Sequence, residues 1–192
     1  MRIFYLLFFI FLLPEFCFAQ RDFTAGTYKL QNGTTNQGQL RYTSGSGAEL
    51  IVKDGKKKLT FPPEAVEYFQ VGEKHFVPVA DFVLDNGVPM MPKVRIKHDF
   101  AEVVDTGRVE LLRYSFPTSN MKMPMQGVVY AEAALIRRRG EPLQCIPIIQ
   151  KKAKPIIASC LKDRPDLIAR LNKEKYTVEN IRAIIQAYNS AQ

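Results

Sequence analysis

The sequence contains no tryptophan, only two histidines and only three cysteines in 192 residues. Neither His75 nor His98 has a metal-binding neighbour at a useful spacing, so no metal site is predicted. The G-x-S-x-G and H-E-x-x-H motifs, the phosphate loop and the dinucleotide fingerprint are absent from the sequence. Without tryptophan, a site that stacks sugars on indole rings is disfavoured. The sequence therefore predicts no cofactor and gives no support to a nucleophilic enzyme.

Acidic residues are scarce relative to basic ones, with 19 Asp and Glu against 27 Lys and Arg and a formal net charge of +8. Such an excess favours anionic partners. Long apolar runs are also lacking, apart from "IFYLLFFIFLL" at residues 3–13. This run is too short to span a bilayer as a stable helix, which needs about 20 apolar residues.

The apolar run has the context of a secretory signal peptide over residues 1–19. It follows the basic residue Arg2 and leads to the small residue Ala19. Cleavage after Ala19 places Cys17 at the −3 position and makes Gln20 the new N-terminus. A lipid anchor on Cys17 is disfavoured, because lipoproteins usually carry a small residue directly before the modified cysteine and this chain has Phe16.

An exported, periplasmic or extracellular location follows from this prediction. Cleavage removes one base and one acid, so the mature chain keeps its charge of +8. We expect the partner to be an envelope protein or an anionic envelope surface, since an exported protein rarely meets nucleic acid. Cys145 and Cys160 remain after cleavage, either as a disulfide that stabilises by about 3 kcal/mol or as two buried free thiols. The sequence leaves both alternatives open.

The region from Gly26 to about Ile148 alternates apolar and polar residues with a period of two, which is typical of strands with one buried face. Turn residues separate the runs, and "LIVKDGKKKLTF" has the pattern of a hairpin around Asp54-Gly55. This pattern predicts an antiparallel sandwich or partial barrel over residues 20–150. Residues Phe116 to Gly127, rich in Pro, Ser, Asn and Met, are predicted to form a loop.

Residues 151–192 change to a helical period and predict short helices that pack on the same domain. A first helix is predicted over residues 151–163, with Pro155 tolerable only in its first turn. The last helix has Thr177 as its N-cap. Its apolar stripe has the i, i+3, i+4, i+7 spacing of an amphipathic helix and consists of Ile181, Ile184, Ile185 and Tyr188. The predicted class is α+β, with strands first and a helical cap last.

The segment "VVDTG" (Val103 to Gly107) has the pattern of the catalytic loop of aspartic proteases, in which two aspartates share one proton. Asp105 would then be the catalytic residue of a dimeric, retropepsin-like peptidase. However, Arg108 occupies a position where those proteases usually carry Ser or Ala, and matched strand-like runs flank the motif. We therefore expect Asp105 to lie in a hairpin turn, where Asp and Gly accept the backbone geometry.

Three groups of basic residues are candidates for anion binding. Each group alone fits a solvated turn or an edge charge that blocks strand aggregation, and together they form a site only if they share a face. The groups are Lys56, Lys57 and Lys58 in one hairpin, Arg137, Arg138 and Arg139 in a second turn, and Lys151, Lys152 and Lys154 before the first helix.

The order of the predicted hairpins and helices resembles that of uncharacterised exported β-rich proteins of Bacteroidota-type bacteria with a helical C-terminal tail. The resemblance covers roughly residues 59–189 and is carried by "LTFPPEAVEYFQVGEKHFVPV", "DFAEVVDTGRVELLRYSF", "VVYAEAALIRRRGEPLQCIP" and the tail ending in Tyr188-Asn189. The Ala19-Gln20 junction is similar to signal peptides of that group. The resemblance implies an envelope location and places Asp105 at a hairpin turn; it implies no functional residue.

The sequence thus favours a non-enzymatic, exported envelope protein that binds a partner through loops and basic turns. The aspartic peptidase with Asp105 is one alternative. A carrier that encloses an apolar ligand between sheet and helices is another.

Overall fold

The computed structural model of the chain describes residues 23–90, 92–118 and 129–190. The predicted signal peptide of residues 1–19, with Cys17, lies outside the described residues, and so does most of the loop predicted between Phe116 and Gly127. The first residues of that loop are a correction. They continue a strand to Thr118, because Pro117 pairs with Tyr130 and the Phe116 ring stacks on Tyr114 at 5.7 Å.

The described chain forms ten strands followed by three helices. The strands are β1 (Thr24–Leu30), β2 (Thr35–Thr43), β3 (Glu49–Asp54), β4 (Lys57–Phe61), β5 (Val66–Val71), β6 (Lys74–Leu84), β7 (Val94–Asp105), β8 (Val109–Thr118), β9 (Val129–Arg138) and β10 (Gln144–Ile146). A 3₁₀ turn at Pro63–Ala65 precedes β5. The helices are α1 (Gln150–Cys160), α2 (Pro165–Lys173) and α3 (Val178–Ser190). None of the helices in the described ranges is long and apolar enough to cross a membrane.

All ten strands belong to one open antiparallel sheet with the order β10-β9-β8-β7-β6-β5-β1-β2-β3-β4. The α+β class, with strands first and helices last, is confirmed. The sheet curls at its C-terminal half, since the N–H of Ile148, just after β10, donates to the carbonyl of Asn86, just after β6, at 3.1 Å. Five consecutive strands, β6 to β10, therefore bend towards a partial barrel.

Two apolar clusters fill the concave parts of the sheet. Strands β1, β2, β3, β5, β6 and β7 enclose the first, which includes Tyr28, Leu40, Leu50, Val66, Phe69, Phe76 and Phe100. Strands β6 to β10 enclose the second, which includes Val79, Phe82, Leu84, Ala101, Leu112, Tyr114, Leu135 and Cys145. Because apolar and polar residues alternate along the strands, the apolar side chains lie on one face and form these clusters, as expected for the period of two.

The three helices cover the other face of β8, β9 and β10. Their buried side chains pack against those of Val109, Leu111, Ile136 and Ile146. The stripe predicted on α3 is confirmed: its four apolar residues are buried. Thr177 is the cap, since its hydroxyl accepts the N–H of Asn180 at 3.2 Å.

Two local predictions need correction. Pro155 lies in the second turn of α1, because the helix already begins at Gln150 and directs Ala153, Ile157 and Cys160 to the sheet. The hairpin between β3 and β4 has Gly55-Lys56 as its two-residue loop, because Asp54 pairs with Lys57 within the ladder. Gly55 has φ +58°, which explains why glycine occupies that position.

Candidate functional site: a polar groove beside a lysine-rich hairpin

A polar surface covers the face of β1, β2, β3 and β5 that points away from the first apolar cluster. Ala25 pairs with Gln39, Gln39 with Lys53, and Lys53 with Lys58 across four strands. Residues that pair directly share a face, whereas the apolar Tyr28, Leu40 and Val52 alternate to the opposite face. The next row joins Gln37, Thr27 and Gln70.

This face contains an open groove of about 690 Å³. Six of the ten residues that line it have polar side chains, and the lining consists of Ala25, Gly26, Thr27, Gln37, Gly38, Gln39, Lys53, Asp54, Gln70 and Gly72. Gly26 and Gly38 face each other across the ladder. A Cβ atom at Gly26 would collide with the Gln70 carbonyl oxygen, so only glycine lets β1 approach β5 this closely.

The groove carries hydrogen-bond donors that have no partner in the described part of the chain. Within the described ranges, Gln37, Gln39 and Lys53 have no side-chain hydrogen bond or ion pair. Gln70 is fixed by a hydrogen bond from its amide to the Gly72 carbonyl at 3.0 Å. Asp54 is the sole carboxylate among the described residues that line the groove. The arrangement can therefore donate to an acceptor-rich ligand.

Positive charge extends the groove towards the β3–β4 hairpin. Lys56, Lys57 and Lys58 are exposed and form no ion pair with the described part of the chain. The guanidinium of Arg41 lies 5.1 Å from the centre of the Phe23 ring, and the Lys58 ammonium lies 5.8 Å from it. The Nε of Arg41 is buried and has no partner within the described ranges. This edge of the groove is basic.

The second predicted basic group is largely neutralised. Arg137 binds Glu110 at 2.6 Å and Arg138 binds Asp163 at 3.1 Å, while Arg139 is exposed. Strand β9, which carries Arg137 and Arg138, and strand β4 lie near opposite ends of the strand order. The Arg137–Arg139 group is therefore not continuous with the lysine-rich hairpin along the sheet, and its role in anion binding stays a prediction.

Two of the three lysines of α1 donate hydrogen bonds to backbone carbonyls of other segments. The Lys152 ammonium donates to the Gly87 carbonyl at 2.6 Å and that of Lys154 to the Asn172 carbonyl at 2.9 Å. Lys151 is exposed, with no side-chain partner in the described segments.

Asp105 ends β7, and the turn of residues 106–108 leads into β8. The Asn189 amide nitrogen donates to the Asp105 carboxylate at 2.6 Å and to the Val109 carbonyl at 2.8 Å. The Val109 N–H donates back to the Asn189 amide oxygen at 3.0 Å. Asp105 thus lies at a hairpin turn held by the last helix. Its only side-chain partner among the described residues is this amide, and none of their carboxylates binds it.

Cys145 and Cys160 are both free and buried. Cys145 belongs to the second apolar cluster and Cys160 to the cluster beneath the helices. Burial raises the pKa of both thiols, which makes them poor nucleophiles near neutral pH.

The histidines form no metal centre in the described part of the molecule. His98 lies 3.1 Å from Glu64, and His75 is exposed on β6. No three His, Cys, Asp or Glu side chains are grouped there so that they could hold a metal ion.

A small apolar pocket lies between β8, β9 and the start of α3. Its volume is about 180 Å³, and its lining includes Val104, Leu111, Ala134, Val178 and Ile181. Pockets for small molecules usually measure about 300–1,000 Å³. This pocket is therefore small for an apolar ligand such as a carrier would enclose.

Sequence reasoning found the lysines of the hairpin but missed the groove beside them. The alternation in "TNQGQL" placed Gln37 and Gln39 on one face of β2, so part of the signal was local. Thr27 and Gln70 reach the groove only because β1 pairs with β5, which lies 36 or more residues further along the chain. No local pattern indicates that pairing.

No protein-family model matches the chain, and neither a curated protein nor a solved structure matches it.

Proposed function

We propose that the chain is an exported, non-enzymatic envelope protein that binds a polyanionic partner along the groove and the Lys56–Lys58 hairpin. The observation that supports this most directly is the set of donors on one face that have no side-chain hydrogen bond or ion pair within the described ranges: Gln37, Gln39, Lys53 and Lys58. Amide groups bind the hydroxyl or carbonyl oxygens of a polymer, while ammonium groups bind its phosphate, sulfate or carboxylate groups. The apolar N-terminal run, with its signal-peptide pattern, supports the exported location.

The shape of the surface suits an extended ligand. The groove crosses four neighbouring strands and is open to solvent, so it accepts a chain rather than enclosing a small molecule. The groove lining contains one carboxylate, Asp54, and one ammonium group, Lys53, and the three hairpin lysines adjoin them, which leaves a positive local balance. Exposed charges of this kind bind more weakly as the salt concentration rises.

Binding of the mature chain, from Gln20, to dextran sulfate and to neutral dextran tests the proposal. We expect binding to the sulfated polymer alone, with affinity falling as sodium chloride is added. The Lys53→Gln/Lys58→Gln variant should bind about tenfold more weakly, because it loses two charge-assisted contacts. The Lys173→Gln/Lys175→Gln variant removes the same charge from exposed residues at and just after the end of α2 and should bind like the parent.

Two results would overturn the proposal. One is an equal loss of affinity in both double variants, which would show that binding depends on the net charge of the protein and not on the groove. The other is proteolysis at acid pH that disappears in Asp105→Asn, since that result would establish the peptidase alternative.

A further inference from the structure

Exposed apolar side chains are concentrated at one place in the molecule. Eight large apolar residues are exposed in the described segments, and four of them, Val83, Val88, Met90 and Val94, lie on the β6–β7 hairpin. We call these four residues the tip. A fifth, Ile148, is 69% exposed and lies beside it, since its N–H donates to the Asn86 carbonyl. Scattered single apolar residues are ordinary on a protein surface, but a concentration of this kind indicates an interaction site.

The outer part of this hairpin has two strands and folds over the second apolar cluster, in which Phe82 and Leu84 are buried. Strand β7 pairs with β8 only at Glu102, Val103 and Asp105. Its earlier residues, from Val94 to Ala101, have β6 as their one ladder partner in the described chain. The tip is therefore the exposed end of a two-stranded arm.

The loop of this arm is fixed by several hydrogen bonds and ion pairs. The Asp85 carboxylate accepts the Gly87 N–H at 2.7 Å and binds the Lys93 ammonium at 2.8 Å. The Lys152 ammonium, from α1, donates to the Gly87 carbonyl at 2.6 Å. Met90 has φ +66°, in the left-handed region that few non-glycine residues adopt, and its side chain is fully exposed. The backbone thus holds an apolar side chain outwards.

Basic side chains lie beside the tip. The exposed Lys93, Arg95 and Lys97, around the start of β7, outnumber the acids Asp81 and Asp85, and Arg95 pairs directly with Val83. The two ion pairs, Lys93 with Asp85 and Arg95 with Asp81, have exposed cations and contribute little to stability, so the cations remain able to bind other anions. An apolar tip with basic side chains beside it is complementary to a bilayer whose surface carries anionic headgroups.

We propose that the tip inserts into the interfacial region of an anionic lipid bilayer while the basic side chains of Lys93, Arg95 and Lys97 beside it bind headgroup phosphates. The inference shares the envelope location with the proposed function but does not depend on the groove. A flat protein partner fits less well, because the tip has apolar residues on both faces of the arm: Val83 pairs with Arg95, and Val94 with buried Leu84.

The absence of tryptophan allows a direct experiment. Met90→Trp introduces a single indole at the tip, and Val178→Trp introduces one at the start of α3, where the native valine is 61% exposed. On addition of phosphatidylcholine–phosphatidylglycerol vesicles we expect a blue shift of Met90→Trp emission and quenching by brominated acyl chains. Val178→Trp should show neither. Pure phosphatidylcholine vesicles should give a weaker response.

A second set of variants measures the contribution of the tip to affinity. Val88→Asp/Met90→Asp should reduce vesicle partitioning about tenfold or more, because the buried apolar surface is lost and negative charge is added. Val178→Asp makes one such change at an exposed valine outside the tip and should partition like the parent. Circular dichroism and thermal unfolding confirm that each variant is folded.

Two outcomes would overturn the inference. One is the same emission change for both tryptophan variants. The other is unchanged partitioning of Val88→Asp/Met90→Asp. If partitioning instead disappears in Lys53→Gln/Lys58→Gln alone, the bilayer contact belongs to the groove; the tip inference then fails and the proposed function survives. If the protein does not bind dextran sulfate but the tip still inserts, the proposed function fails and the tip inference survives.

Discussion

At the scale of single residues, Asp99 is the buried carboxylate that joins the two halves of the sheet. It is fully buried and accepts the Gly45 N–H, the Tyr114 hydroxyl and the Phe100 N–H, each at 2.7 Å. Gly45 belongs to the β2–β3 loop and Tyr114 to the second apolar cluster. Burial raises the pKa of Asp99 although these three hydrogen bonds oppose the shift.

The hydrogen bond from Tyr114 to Asp99 should be measurable by one substitution. Tyr114→Phe removes one of the three donors from a buried carboxylate, and we expect the free energy of unfolding to fall by about 2 kcal/mol. Urea unfolding of the two proteins measures this change. Tyr68→Phe is the control, because the Tyr68 hydroxyl makes no hydrogen bond to the described chain, and it should leave the midpoint unchanged. Equal effects of both substitutions would contradict the assigned role of Asp99.

The cysteines allow a second prediction at this scale. Because burial raises the pKa of the Cys145 and Cys160 thiols, a thiol-specific dye should label the folded mature chain slowly. In denaturant without reductant, both thiols should react at once. Mass spectrometry counts the labels. A denatured chain that takes up no label would show that the two residues are paired, which is the alternative that the sequence left open.

At the scale of elements, α3 is fastened to the sheet by its last turn. Asn189 makes three hydrogen bonds with Asp105 and Val109, and the adjacent Tyr188 hydroxyl donates to Asp163 at 2.7 Å. We expect Asn189→Ala to lower the free energy of unfolding by about 2 kcal/mol, because it leaves backbone groups of Val109 unpaired. Thermal unfolding tests this. Asn172→Ala, at an exposed position near the end of α2, is the control and should have little effect.

Asp163 connects the turn after α1 with three other elements and gives stability a pH dependence. It binds Arg108 at 2.6 Å, Arg138 at 3.1 Å and the Tyr188 hydroxyl. The Tyr188 hydrogen bond, helped by the two arginines, lowers the pKa of Asp163 from 3.8 to about 2. A lowered folded pKa gives stability that is present above the unfolded value of 3.8 and is lost as the pH falls towards about 2.

Asp163→Asn should therefore remove part of the acid dependence of stability. We expect the variant to be less stable than the parent at neutral pH and the difference to shrink as the pH falls below 3.8. Urea unfolding at a series of pH values measures it. Asp99 acts in the opposite sense: its raised pKa gives stability that is fullest at low pH and is lost as the pH rises. A difference that stays constant with pH would contradict the role of Asp163.

Local sequence patterns were sufficient to predict helices and strands but not to predict which of them pack or pair together. The stripe on α3 and the cap at Thr177 follow from helical spacing, which is a property of neighbouring residues. The start of α1 could not be predicted from Pro155, because burial of Ala153 and Ile157 decides where the helix begins. Strand pairing is similar, since β1 pairs with β5 as well as with β2 and nothing in its own sequence specifies the second partner.

For the candidate site too, local sequence patterns predicted only the features that are contiguous in the chain. Lys56, Lys57 and Lys58 were visible as a charged hairpin because hairpin and charges are contiguous in sequence. Gln70 and Lys53 share a groove only through the order of four strands. Asp99 had no signal at all, since its partners come from the loop after β2 and from β8.

At the scale of the whole molecule, the three apolar clusters share strands and should unfold together. In β7, Phe100 faces the first cluster and its neighbour Ala101 the second. In β8, Leu112 faces the second cluster and its neighbour Leu111 the cluster beneath the helices. Because one backbone carries both side chains, losing one cluster removes support from the next.

Core truncations at the two ends of the molecule test this coupling. Ile157, under the helices, and Leu50, in the first cluster, are both fully buried, and each change to alanine should lower the free energy of unfolding by about 3 kcal/mol. Native-state hydrogen exchange then compares the most protected amides of β2 and β3 with those of α3. In Ile157→Ala, protection should fall equally in both places, since both exchange through the same global opening. Loss of protection in α3 alone would show instead that the helices unfold as a separate unit from the sheet they cover.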